Sequence, residues 1–122
     1  MRDYSKLDAF KLADDVVLLI YQVTKTFPKE ELYGLTAQIR RAAISVPSNI
    51  VEGCARESQQ EYIRFLGIAY ASLREAGYQL SLAKRLGYLS EEDFLKCHLK
   101  IVEAEKVLYS LKRSLHKLSS SI

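Results

Sequence analysis

Chain breakers are scarce in this sequence, with five glycines and two prolines among 122 residues. A turn-rich all-β chain needs several times as many, so helices are the remaining economical solution. Cysteine is rarer still. Cys54 and Cys97 stand far apart with no Cys-x-x-Cys spacing, which reads as two structural thiols in a reducing cytoplasm. Long apolar runs are missing. The longest, Val16–Tyr21, falls far short of the roughly 20 residues needed to cross a bilayer. The opening residues Met-Arg-Asp-Tyr-Ser-Lys lack the apolar core of a signal peptide, so a soluble cytoplasmic protein is expected. A large excess of either charge is also absent. Eighteen Lys and Arg against fifteen Asp and Glu leave a net charge of +3, which excludes a polycation and a highly charged disordered tail. What is there is 48% hydrophobic and 27% charged. A chain of this length can bury about two-thirds of its unfolded surface without a metal or disulfide staple. One domain over residues 1–122 is the expectation.

Period and punctuation give four helices, at about 5–27, 30–56, 59–86 and 91–118. In the first, Ala13, Val16, Ile20, Val23 and Phe27 recur at alternating spacings of three and four, and Pro28 follows as a stop. In the second, starting near Glu30 or Gly34, Leu35, Ile39, Ala42, Val46 and Ile50 form one stripe that stays in phase across Pro47. That predicts a kinked but continuous helix, although an interior proline costs about 3 kcal/mol. The third opens on the capping box Ser58-Gln59-Gln60-Glu61 and closes at Gly87. The fourth opens at Ser90 with Glu91, Glu92 and Asp93 at the positive end of its dipole, and carries a heptad from Phe94 and Cys97 to Leu115 and Leu118. Short connections then imply an antiparallel, up-down-up-down four-helix bundle.

The second helix is more than one amphipathic stripe. Beside the apolar residues run Gln38, Arg41, Ser45, Asn49, Glu52 and Arg56, short polar groups and few lysines, with Glu52 four residues before Arg56 in the favourable ion-pair order. On its far side lie Ala37, Ile44, Val51 and Ala55, with Arg40 and Pro47 at the margin. A helix apolar on two sides is usually buried on two sides. The expectation is that this rod turns little of its length to water and that Gln38, Arg41, Ile44, Ser45, Asn49, Val51, Glu52 and Arg56 form a seam fixing helix and subunit register.

The run Gly34-Leu35-Thr36-Ala37-Gln38-Ile39-Arg40-Arg41-Ala42-Ala43-Ile44-Ser45, followed by Asn49-Ile50-Val51-Glu52-Gly53 and Arg56, resembles the signature of the four-helix-bundle proteins encoded in 23S rRNA intervening sequences. Phe27-Pro28, Phe65-Leu66, Ile68-Ala69, Ser72-Leu73, Glu75 and Leu86-Gly87-Tyr88 extend the likeness, and Val51 stands where the family usually has Ala. The resemblance implies a small non-enzymatic helical protein that assembles into a ring, typically a homopentamer. It also takes in the accessory variability proteins of diversity-generating retroelements, which bind nucleic acid and a reverse transcriptase.

Enzymatic chemistry has little to stand on. There is no His-Glu-x-x-His, no Glu-x-x-His and no glycine-rich phosphate loop. Cys97 and His98 are helix neighbours about 100° apart, poor geometry for a nucleophile and its base, and His116 suits a helix end. No catalytic, cofactor or metal residues are expected. Nucleic-acid binding is better supported. Arg64, Gly67, Ala71, Arg74, Tyr78 and Arg85 share one face of the third helix, where arginines meet phosphates and the tyrosine stacks on an unpaired base. Lys96, Lys100, Lys112, Arg113 and Lys117 add charge on the fourth. A ring would repeat each basic strip, giving salt-sensitive and largely sequence-independent binding to RNA or DNA. The rival reading is a structural or protein-interaction scaffold without nucleic-acid binding.

Overall fold

The computed structural model describes residues 2–120. Four helices carry the chain: α1 (Asp8–Thr24), α2 (Leu35–Cys54), α3 (Gln59–Arg85) and α4 (Glu91–Ser120). Short 3-10 turns at Tyr4–Lys6 and Lys29–Glu31 precede α1 and α2, and no strand occurs among the described residues. Each helix packs against two others: α1 and α3 both touch α2 and α4. On α2 and α3, Gly53 meets Tyr62 and Phe65 while Ser45 meets Ser72. On α3 and α4, Gly67 meets Lys112, Arg74 meets Glu105, and Lys84 meets Glu91.

The inner stripes read from the sequence are the core. Val16, Ile20, Ile39, Val46, Ile50, Leu66, Leu73, Leu80, Cys97 and Leu108 are all sealed from solvent. Burial pushes the Cys97 thiol up to about 11, so at neutral pH it stays protonated. His98 is exposed and stacks on Phe94 instead, with ring centroids 5.3 Å apart.

Helix ends follow local chemistry, and two differ from expectation. The first helix starts later than residue 5, because Asp3 caps a separate turn and Leu7 is extended at ψ 128°. It also ends before residue 27: the Thr24 hydroxyl donates to the Ile20 carbonyl at 2.7 Å, and the Phe27 N–H closes a turn on Thr24. The second starts at Leu35, beside the later of the two starts offered by the sequence, with Gly34 at its N-cap. Its first N–H donates to the Glu31 carboxylate at 3.0 Å, and that carboxylate also accepts from the Tyr88 hydroxyl at 2.8 Å. These two bonds hold the Glu31 carboxyl below its usual range and tie the α1–α2 and α3–α4 connections together. The helix then runs unbroken through Pro47.

The ends of α3 match the reading closely. The Glu61 N–H donates to the Ser58 hydroxyl at 3.0 Å, although the Glu61 side chain turns to Arg64 rather than back to the cap. At the other end Gly87 takes φ +80°, and the Tyr88 N–H reaches back to the Ala83 carbonyl while that of Gly87 reaches Lys84. The heptad of α4 outruns its partners. Gln59, the first residue of α3, already donates to the Leu115 carbonyl, and beyond it Leu118 is 57% exposed.

One expectation for α2 needs correcting. Within the single chain its two flanks are occupied by α1 and α3: Arg40 lies over the Tyr21 ring, and Ser45 bonds Ser72. Between the flanks a ridge of Gln38, Arg41, Ile44, Ser48 and Glu52 is exposed, so the rod does have a face open to water. Neighbouring helices account for much of its two-sided burial, Val51 is only half-buried, and Ile44 alone on the ridge is a large apolar residue, 42% exposed.

Candidate nucleic-acid interface

The polar strip of α2 bonds partly to its neighbour α3 and partly to itself. Ser45 and Ser72 share a hydrogen bond at 2.9 Å, and the Asn49 amide donates to both the Ser45 carbonyl and its hydroxyl. Gln38 and Arg41 line a shallow cleft with Ser45, Ser72 and Glu75, and Arg56 pairs with Glu52 at 3.7 Å. The Asn49 bonds and the Arg56–Glu52 pair are local, whereas the Ser45–Ser72 bond links α2 to α3. Arg40 does the same for α1, donating from Nε to the buried Thr24 hydroxyl at 2.9 Å.

The candidate cations of α3 do not converge. Arg64 and Arg85 lie about 30 Å apart along the axis at a rise of 1.5 Å per residue. Arg64 pairs with Glu61 at 2.9 Å, and Arg74 reaches across to Glu105 on α4 at 3.2 Å. Arg85 bonds the Ser81 carbonyl within its own helix, and Tyr78 is 60% exposed. Such pairs contribute little to stability at the surface, yet each carboxylate offsets positive charge that a phosphate would otherwise meet.

The α3–α4 groove is different. Lys112, Arg113, Tyr109 and His116 line one cleft, and Tyr109 continues into a second with Tyr70, Val102, Glu105 and Lys106. The Tyr70 and Tyr109 rings lie 6.2 Å apart, and the Lys112 amine stands 5.9 Å from the Tyr70 ring centre. The amine also lies over Gly67, where an added Cβ would be in ordinary contact with it, 3.5 Å from Nζ. Among the described residues no carboxylate comes within ion-pair distance of Lys106, Lys112 or Arg113. Lys117 is exposed one turn beyond Arg113. Lys106, Tyr109, Arg113 and His116 form a 3-4-3 stripe that was present in the sequence. It went unread because Tyr109 and Lys106 gain meaning only beside Tyr70 of another helix.

No group of His, Cys, Asp and Glu among the described residues could hold a metal ion, and no helix is long and apolar enough to cross a membrane. A family model described as 23S rRNA-intervening sequence protein matches residues 5–110. No curated protein matches the chain. A crystal structure from Bacteroides thetaiotaomicron, of a protein with unknown function from the S23 ribosomal protein family, aligns with a TM-score of 0.79 and 24% identity. The alignment covers 86% of this chain and 95% of that one. At that identity the likeness speaks for the fold.

Proposed function

Because the chain belongs to the family of 23S rRNA-intervening sequence proteins, we propose that it is a non-enzymatic helical protein that forms a homo-oligomeric ring and binds nucleic acid along the α3–α4 groove. The carrying observation is the groove itself, where Lys106, Lys112 and Arg113 lack carboxylate partners and flank exposed tyrosine. The cations engage phosphates while the Tyr109 ring offers a face to an unpaired base. No base-reading geometry is required, so RNA and DNA both fit. Across α2–α3 and α3–α4 the contacting residues fall in number on one helix as they rise on its neighbour, which supports an antiparallel, up-down-up-down course. Two buried free thiols, Cys54 and Cys97, support a reducing, cytoplasmic setting.

Fluorescence anisotropy with single-stranded RNA and DNA tests the groove. Affinity is expected to fall steeply with added salt, because each phosphate contact releases a counterion. Lys112→Glu with Arg113→Glu should weaken binding about tenfold or more, since two attractive contacts become repulsive. Arg64→Ala with Arg74→Ala should do much less, as their charges are already matched by Glu61 and Glu105. A probe left free at low salt would favour the scaffold reading instead, which those two ion pairs support, with a protein such as a reverse transcriptase as the client.

The ring, a pentamer by family resemblance, rests on the exposed Ile44 ridge of α2. Light scattering should return several times 13.9 kDa, and Ile44→Glu should shift the mass towards that of one chain. A wild-type chain that scatters as a monomer removes the ring, and an unchanged Ile44→Glu removes α2 from its interface.

A further inference from the structure

One cleft of the α3–α4 groove holds more than positive charge. Tyr70, Val102, Glu105, Lys106 and Tyr109 line a space of about 350 Å³, inside the roughly 300–1,000 Å³ range of small-molecule sites. Glu105 and Tyr109 stand one turn apart on α4, where residues four apart are surface neighbours. Tyr109 is 55% exposed, so its ring has room for a stacked base. Glu105 is the member that phosphate binding does not explain, because a carboxylate repels the nucleic-acid backbone. Its side chain is only 15% exposed, and Arg74 holds Oε2 at 3.2 Å. Among the described residues Oε1 has no partner, yet it is not sealed from solvent. A carboxylate carries about four lone-pair sites, so Oε2 keeps capacity as well.

The carboxylate only accepts hydrogen bonds, and the ammonium of Lys106 beside it only donates them. That pair discriminates among unpaired bases, whose Watson–Crick edges are free to be read. Guanine presents two N–H donors there, N1–H and the 2-amino group, next to the O6 acceptor. Adenine and cytosine set a single amino donor beside a bare ring nitrogen, which a carboxylate repels. Uracil has one N–H between two carbonyls. We propose that this cleft takes an unpaired guanine stacked on Tyr109, with Glu105 accepting from N1–H and the 2-amino group and Lys106 donating to O6. Arg74 is a positioning residue that holds the Glu105 carboxylate in place. The assignment rests on the groove reading and adds a base preference to it. Phosphate contacts from Lys112 and Arg113 stay indifferent to sequence.

Fluorescence anisotropy of the full chain with a short oligouridine carrying guanine, adenine, cytosine or uracil at its centre tests this. The guanine probe should bind about tenfold more tightly than the other three, the scale of one good bidentate contact. Inosine lacks the 2-amino group, so a central inosine should fall between guanine and adenine. Glu105→Gln should erase the advantage of guanine, while the all-uracil probe binds as well as before or better, since a negative charge has left the groove. That split separates base reading from misfolding, which would weaken every probe alike. Four equal affinities, a different favoured base, or a guanine advantage that survives Glu105→Gln overturns the proposal and leaves the groove standing. A chain that binds none of the probes at low salt removes the groove, and this assignment with it.

Discussion

Leu108→Ala is expected to destabilise the protein by about 2–5 kcal/mol, and Leu99→Ala on the same helix by no more than about 0.5 kcal/mol. Both are leucines of α4 with the same helix propensity cost, so the contrast isolates burial. Leu108 is 1% exposed within the four-helix core, while Leu99 is 66% exposed. Truncating Leu108 removes buried methyl groups and leaves a void lined by atoms that the close-packed core can only partly move. Truncating Leu99 returns a side chain to a solvent it already meets. Urea denaturation reads both, and the midpoint should fall for the first alone. Equal losses would mean that α4 presents a different face to the core, and the placement of the α3–α4 groove would fall with it.

That face was legible because α4 repeats its apolar positions for most of its length. Cys97, Ile101, Ala104 and Leu108 are buried as the period requires. The period could not say where the neighbours stop, so Leu118 continues the pattern into solvent. Caps made by adjacent residues, Ser58 to Glu61 and the glycine stop at Gly87, were equally open to reading. The start of α2 was legible near Gly34, but not the contact that holds it. Glu31, which accepts from its first N–H, is held by Tyr88 from 57 residues away. The two-sided character of α2 was visible as well, but not its cause. Tyr21 and Ser72, which occupy the flanks, belong to other helices.

The family signature turns out to encode packing. Arg40 ties α2 to α1, Ser45 ties it to α3, Asn49 braces Ser45 from within α2, and Gly53 permits a close approach of α2 and α3. A motif spent on the fold says little about the client, whose candidate interface lies on α3 and α4. There the sequence offered charges without their partners. The match of Arg64 to Glu61 is local and readable, whereas that of Arg74 to Glu105 spans two helices. The groove shares this property: Tyr70 and Tyr109 come together only through tertiary structure.

Two glycine substitutions should move stability in opposite directions. Alanine is better than glycine inside a helix by about 1 kcal/mol, and on propensity alone every such change would stabilise. At Gly53 packing outweighs that gain. A Cβ there would lie 2.8 Å from Cβ of Phe65, 3.3 Å from the Tyr62 ring and 3.4 Å from the Tyr62 carbonyl. The Phe65 Cβ is rooted in the α3 backbone and cannot swing aside, so the helices themselves would have to part. Overpacking of this kind costs about 1–3 kcal/mol, leaving Gly53→Ala with a net loss of up to about 2 kcal/mol, and the larger Gly53→Val with more. At Gly67 the added carbon would meet only the Lys112 amine, at 3.5 Å, the free end of a flexible side chain. Gly67→Ala should therefore keep its propensity gain and raise the melting temperature by a few degrees, while Gly53→Ala lowers it. Thermal melts of the two alanine variants that move together would show that α2 and α3 are not in close contact at Gly53, and the register read from Ser45 and Ser72 would lose its anchor.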